Sequence, residues 1–126
     1  MINFSNHPSG QWSDEQRAAA IQLSCSPDSA IINVPFPSVD PEAEDVSEVI
    51  SDNIARIIRL MEGRLEPVFV AGEFTVAFGV TAGLLARGYR VVTSTTQRMV
   101  KQLPDGTTVR QFQFVQWRTV KYSVMK

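Results

Sequence analysis

Short apolar runs alternate along this chain with longer segments whose apolar residues recur every three or four positions. The clearest case lies between Pro67 and Arg98. Val68-Phe69-Val70-Ala71 is continuously apolar, the pattern of a strand buried on both faces. Gly72 breaks the run, and Glu73 stands where a helix would start and where a negative charge suits the helix dipole. Phe74, Ala77, Phe78, Thr81, Leu84 and Leu85 form a helical stripe that stops at Gly88. Tyr89-Arg90-Val91-Val92-Thr93 is the next strand, and Ser94-Thr95-Thr96 is expected to leave its carboxyl end as a turn. Strand, crossover helix and strand make a right-handed βαβ unit.

The same alternation runs upstream. Residues 1–5 read as a strand that ends in Asn6-His7-Pro8-Ser9-Gly10, a loop of turn formers. Ser13 with Gln16 fits a capping box, which predicts a helix from about Asp14 to Ser24 burying Ala19, Ala20 and Leu23, with Ser26-Pro27-Asp28 ending it. Residues 30–34 are a second strand, followed by a stiff loop with Pro35, Pro37 and Pro41. Glu42 to Met61 reads as the longest helix, with Val46, Val49, Ile50, Ile54, Ile57, Ile58 and Met61 on one stripe and the acids toward its start.

Beyond Arg98 the pattern changes. Residues 99–103 and 109–117 are extended runs joined by Pro104-Asp105-Gly106-Thr107, a hairpin signal. In the second run Phe112, Phe114 and Gln116 are expected on one face, and Val109, Gln111, Gln113, Val115 and Trp117 on the other. The tail from Arg118 to Lys126 is expected over a sheet edge. With no repeat or linker, residues 1–126 read as a single α/β domain. The element order predicts a doubly wound, Rossmann-like, mainly parallel sheet in the order 2-1-3-4, with a C-terminal β-hairpin extending it.

Composition narrows the function classes. A net charge of −1 argues against a general DNA- or RNA-coating surface, so no long nucleic acid is expected as a partner. A small anion held by a few local donors remains compatible with it. The single Cys25 rules out an intramolecular disulfide and a thiolate metal cluster, suits a reducing cytoplasm, and has no activating base near it in sequence. No basic-then-apolar leader pattern is present and no apolar run approaches ~20 residues, so neither export nor membrane spanning is expected.

The predicted order places a topological switch point between the strands ending at Ser5 and Ala71. Three loops are expected to meet there: Asn6-His7-Pro8-Ser9, Gly72-Glu73-Phe74-Thr75 and Ser94-Thr95-Thr96. Their hydroxyls, amide, imidazole and helix N-terminal N–H groups are an inventory for phosphate or nucleotide. The chain has no G-x-G-x-x-G, no Walker A lysine motif and no His–carboxylate set at ligand spacing, so no cofactor and no metal are expected. His7 is either a turn residue or the one side chain titrating near neutrality. Glu73 either caps its own helix or faces the ligand, and Arg98 is either a solvated charge or a phosphate clamp. Trp12 staples the first helix or stacks on a base, and Phe36 packs in the core or walls a base pocket.

Asn3-Phe4-Ser5-Asn6-His7-Pro8, with Ser13-Asp14-Glu15-Gln16 opening the helix, resembles the start of small CRISPR-associated proteins of the ring-nuclease and cyclic-oligoadenylate-sponge type. Those are single CARF-like Rossmann domains that dimerise around a cyclic oligoadenylate. The resemblance covers mainly the first strand and helix. Relative to that pattern, Asn6 and Gly10-Gln11-Trp12 look inserted. It implies a cytoplasmic homodimer that binds cA4 or cA6 in type III CRISPR antiviral signalling and cleaves it without metal. His7, Ser94 and Thr95 would then be catalytic. Asn6, Ser9, Phe36, Gly72, Glu73, Phe74, Thr75, Thr96 and Arg98 would bind the ligand. Two alternatives stand beside this: a non-catalytic sponge, and an interaction module that pairs through its hairpin edge.

Overall fold

The most apolar short runs become the middle of the sheet. In the computed structural model, which describes residues 1–24 and 30–121, β1 (Ile2–Ser5) and β3 (Val68–Val70) are buried along their whole length. β2 (Ile32–Pro35) flanks β1, and β4 (Val91–Gln102) flanks β3. β5 (Thr108–Thr119) closes the order β2-β1-β3-β4-β5. The first four strands are parallel and β4–β5 is antiparallel. This is the doubly wound α/β architecture expected from the alternation of runs.

Two-residue periodicity divides the sheet into two cores. Ile2, Phe4, Val68, Val70 and Val91 pack under α2 (Ser47–Met61) and α3 (Phe74–Ala86). Met1, Phe69 and Val92 pack on the other face against Trp12, Trp117 and Ala20 of α1 (Asp14–Leu23). The N-cap half of the capping box forms, with Ser13 Oγ accepting from the Gln16 N–H at 3.1 Å. Ala20 is the one residue of α1 buried fully; Ala19 and Leu23 are half-buried. The end signal Ser26-Pro27-Asp28, Cys25 and the tail beyond residue 121 lie outside the described residues.

Four expectations need correction. α2 begins at Ser47 instead of Glu42. Asp40 Oδ1 accepts from the Glu42 N–H and Asp45 Oδ1 from the Ser47 N–H, both at 2.9 Å, so short side chains hold this stretch in turns. On α3 the buried line is Val76, Val80 and Leu84. Phe74 and Phe78, expected inside, are 75% and 65% exposed. α3 is apolar almost all round, so periodicity alone does not pick its inner face; Gly79 and Gly83 do. A Cβ on either would lie 2.3 Å from the end of Ile50 or Ile54, so α2 seats on the glycine side.

The third correction matters most. Ser94-Thr95-Thr96 does not leave the sheet; it lies in the middle of the twelve-residue β4. Ser94 pairs with Trp117, Thr95 with Gln116 and Thr96 with Phe114. Thr belongs among the strand formers, and paired against β5 that preference prevails over the turn reading. The pairing skips Val115, a bulge that puts Trp117 on the same side as Phe114, with ring centroids 5.1 Å apart. The expected split of Phe112 and Phe114 from Trp117 is therefore wrong. Among the described residues no helix is long and apolar enough to cross a membrane.

Ile57 lies at the centre of the α2 stripe and is fully buried. Ile57→Ala should lower the unfolding free energy in urea by about 2–5 kcal/mol, the transfer and cavity terms together.

Candidate functional site

The site starts from two polar residues inside β1. Asn3 and Ser5 are buried, so their hydrogen bonds have to be made within the fold. Asn3 Nδ2 donates to the carbonyl of His7 at 2.9 Å and to Asn33 Oδ1 at 2.8 Å. Ser5 Oγ donates to Asn3 Oδ1 at 2.7 Å and accepts from the His7 N–H at 3.1 Å. The Trp12 indole N–H also donates to the His7 carbonyl, at 3.0 Å. Asn33 further accepts from the Ser9 N–H at 2.9 Å and donates to Ser9 Oγ at 3.0 Å. Arg17 donates to the carbonyls of Ser9 and Trp12. The loop after β1 is thus held by its backbone, and His7 stays exposed.

His7 lines an open groove of about 1010 Å³ between this loop, the start of α1 and the β4–β5 hairpin. Ser94 and Thr96 line the same groove. Three residues of the expected site are therefore brought together. Trp12, Phe69, Phe112 and Phe114 supply aromatic wall, and Gln11 and Gln16 supply amides; Gln111 and Gln113 lie along the groove but alternate with the two phenylalanines to the other face of the hairpin. Behind that wall Trp117 stands 4.9 Å from Phe69 and 5.3 Å from Trp12, ring centre to ring centre. Trp12 is both the staple and part of the groove.

The other expected residues go elsewhere. Thr95 alternates away from Ser94 and Thr96, and its hydroxyl donates to the Gln116 carbonyl at 3.3 Å. Arg98 is exposed and is not part of the groove lining, and neither is Asn6. Ser9 is engaged with Asn33. Phe36 is 7% exposed, its ring 4.8 Å from that of Phe4, so it belongs to the core. Gly72 is small because that ring lies over it: a Cβ would fall 2.5 Å from the Phe36 ring atoms.

The N-terminus of α3 is closed by its own cap. The Glu73 carboxylate accepts from the N–H groups of Thr75 at 3.1 Å and Val76 at 2.9 Å, and from the Thr75 hydroxyl. These are the donors a phosphate would have used. The exposed ring of Phe74 stacks beside that of Phe78, with centroids 5.8 Å apart. Gly72-Glu73-Phe74-Thr75 thus forms no part of the groove that His7 and Ser94 share.

The family model that matches this chain, the uncharacterized protein MJ1673 family, spans residues 1–118, from β1 to within one residue of the end of β5. The chain belongs to the MJ1673 family. No curated protein and no solved structure matches it. Both walls of the groove, the His7 loop and the hairpin, fall inside the MJ1673 match. Sequence reading missed the hairpin wall because its Gln-Phe-Gln-Phe run, 111–114, carries no motif. The available signal was aromatic residues alternating with amides in a strand.

Hydrogen bonds from the Thr75 hydroxyl, then from the Val76 and Thr75 N–H groups, hold the Glu73 carboxyl below its ordinary 4.5. A depressed folded pKa means the stabilisation is present above the ordinary value and lost as pH falls through the folded one. Glu73→Gln should therefore melt below wild type at pH 7. That difference should shrink below pH 4.5 and vanish in stronger acid, as read by thermal melts across pH.

Proposed function

We propose that the groove binds a cyclic oligoadenylate, cA4 or cA6, and cleaves it without metal as a ring nuclease in type III CRISPR antiviral signalling. The observation that carries the reading is the meeting of His7, Ser94 and Thr96 in one groove walled by Trp12, Phe112 and Phe114. Aromatic faces suit adenine rings, and the amides of Gln11 and Gln16 suit their polar edges. The resemblance at Asn3 to Pro8 supports the same ligand class, because those residues shape the loop that carries His7.

The chemistry this allows is transesterification within the substrate. A 2′-hydroxyl loses its proton to the His7 imidazole and attacks the adjacent phosphorus; the P–O5′ bond breaks, the 5′-oxygen takes a proton from water, and a 2′,3′-cyclic phosphate and a 5′-hydroxyl are left. Ser94 and Thr96 donate hydrogen bonds to the charged phosphate oxygens; Thr95 and Arg98, which the sequence suggested for this role beside Ser94, lie outside the groove lining. A reducing cytoplasm suits the single cysteine.

The resemblance also implies a homodimer. The α2 stripe is buried within the monomer, whereas α3 keeps Phe74 and Phe78 outside. We assign the dimer contact to those two rings. Phe78→Asp should convert a dimer to a monomer in sedimentation velocity and leave the melting temperature nearly unchanged. A wild-type monomer with and without cA4 and cA6 would end the assignment.

Incubation with cA4 and with cA6, followed by separation of bound and cleaved species, tests the main reading. His7→Ala should slow cleavage by about 10²–10⁴-fold with affinity little changed. Binding without turnover in the wild type would make the protein a sponge. Absence of binding would leave the hairpin edge as an interaction module.

A further inference from the structure

The whole-chain charge conceals a division. Residues 1–90 carry twelve acidic and six basic side chains, net −6, whereas residues 91–126 carry one acidic and six basic, net +5. The basic part includes the hairpin arm, the far half of which is exposed nearly throughout. Arg98 stands opposite Phe112 and Val100 opposite Arg110, so these four side chains share one face of the ribbon. The two arginines are diagonal neighbours there, roughly 7–8 Å apart at the backbone. Lys101 lies on the other face, opposite Val109. Among the described residues the ion pairs are Met1–Glu66 and Arg17–Asp14, so none of these three cations is neutralised. Phe112 is 73% exposed between the arginines.

We infer that the β4–β5 arm is a binding site for single-stranded nucleic acid, with Arg98, Lys101 and Arg110 on phosphates and Phe112 as a platform for an unpaired base. Cations alone would serve any polyanion. The exposed ring beside them selects one that carries flat apolar groups between its charges, and a single strand offers bases that a duplex keeps stacked. The acidic remainder of the chain confines the strand to the arm, because elsewhere it meets like charge. Overall near-neutrality therefore excludes an all-over coat and leaves this strip. The arm and the groove share Phe112, and a uridine 20-mer tests the arm without the cyclic ligand.

Fluorescence anisotropy with a labelled uridine 20-mer tests it. Three phosphate contacts on a single strand give a slope of about −2 in log affinity against log salt, so affinity should fall roughly 20-fold between 50 and 200 mM salt. The double variant R98Q/R110Q should reduce that fall to about 3-fold. Phe112→Ala should weaken binding about 5- to 150-fold with the slope unchanged. All three side chains are exposed, and thermal melts verify that the variants fold. Equal affinity for a duplex of the same length would overturn the inference. So would no binding at 50 mM salt up to roughly 100 μM, the weak end of non-specific affinity. Salt-sensitive self-association without oligonucleotide, abolished in R98Q/R110Q, would overturn it too and assign the strip to the acidic 40–52 segment of a second copy.

Discussion

A buried amide has to make its hydrogen bonds, and Asn3 makes them by holding the chain in a tight loop after β1. It sits in a strand paired on both sides, where every neighbour in the strand is buried. Its side chain reaches β2 through Asn33 and the loop through the His7 carbonyl, while Ser5 fills its remaining acceptor. Leaving one such group unpaired costs about 1–3 kcal/mol. The loop is thus over-determined by β1 and β2 together. Trp12 then follows: its N–H is anchored on the same carbonyl, which lays the indole against Phe69 on the α1 face. The exposed imidazole of His7 is a consequence of this arrangement of its backbone.

Much of the fold was legible because burial on both faces leaves a short, continuous apolar run, and 68–71 and 91–92 carry that mark. The α2 stripe was legible for the complementary reason: one face is apolar and the other is charged. α3 was not, because Phe74, Phe78, Val76 and Val80 are all apolar and only the glycine pair breaks the symmetry. The hydroxyl run 94–96 defeated local reading for a different reason. Ser and Thr satisfy a turn and a paired strand alike, and the deciding partner lies about twenty residues ahead in sequence.

The candidate site was half legible. His7, Ser94 and Thr96 converge, since a loop after β1 and the inner half of β4 both lie at the carboxyl end of the parallel strands. Glu73 marks the limit of that rule. A helix N-terminus offers N–H groups to an anion only if the chain does not supply the anion itself, and Glu73 does so at Thr75 and Val76. Gly72 shows a second limit, because a small residue beside a helix start can answer to a ring packed above it, here Phe36.

The bulge at Val115 ties these pieces into one surface. Trp117 and Phe114 are three residues apart, a spacing that in a regular strand sends side chains to opposite faces. One extra residue restores them to the same face. Trp117 then extends the Trp12–Phe69 cluster to Phe114, and the next residue on that face is Phe112. Without the bulge the hairpin would present Gln113 and Gln111 in line with Trp117 and turn both phenylalanines away. Groove and arm therefore share a continuous aromatic row. The Trp117 indole N–H is buried in that row with no acceptor among the described residues. An orphaned donor of this kind disfavours the arrangement, and the packing of the three surrounding rings of Trp12, Phe69 and Phe114 offsets it.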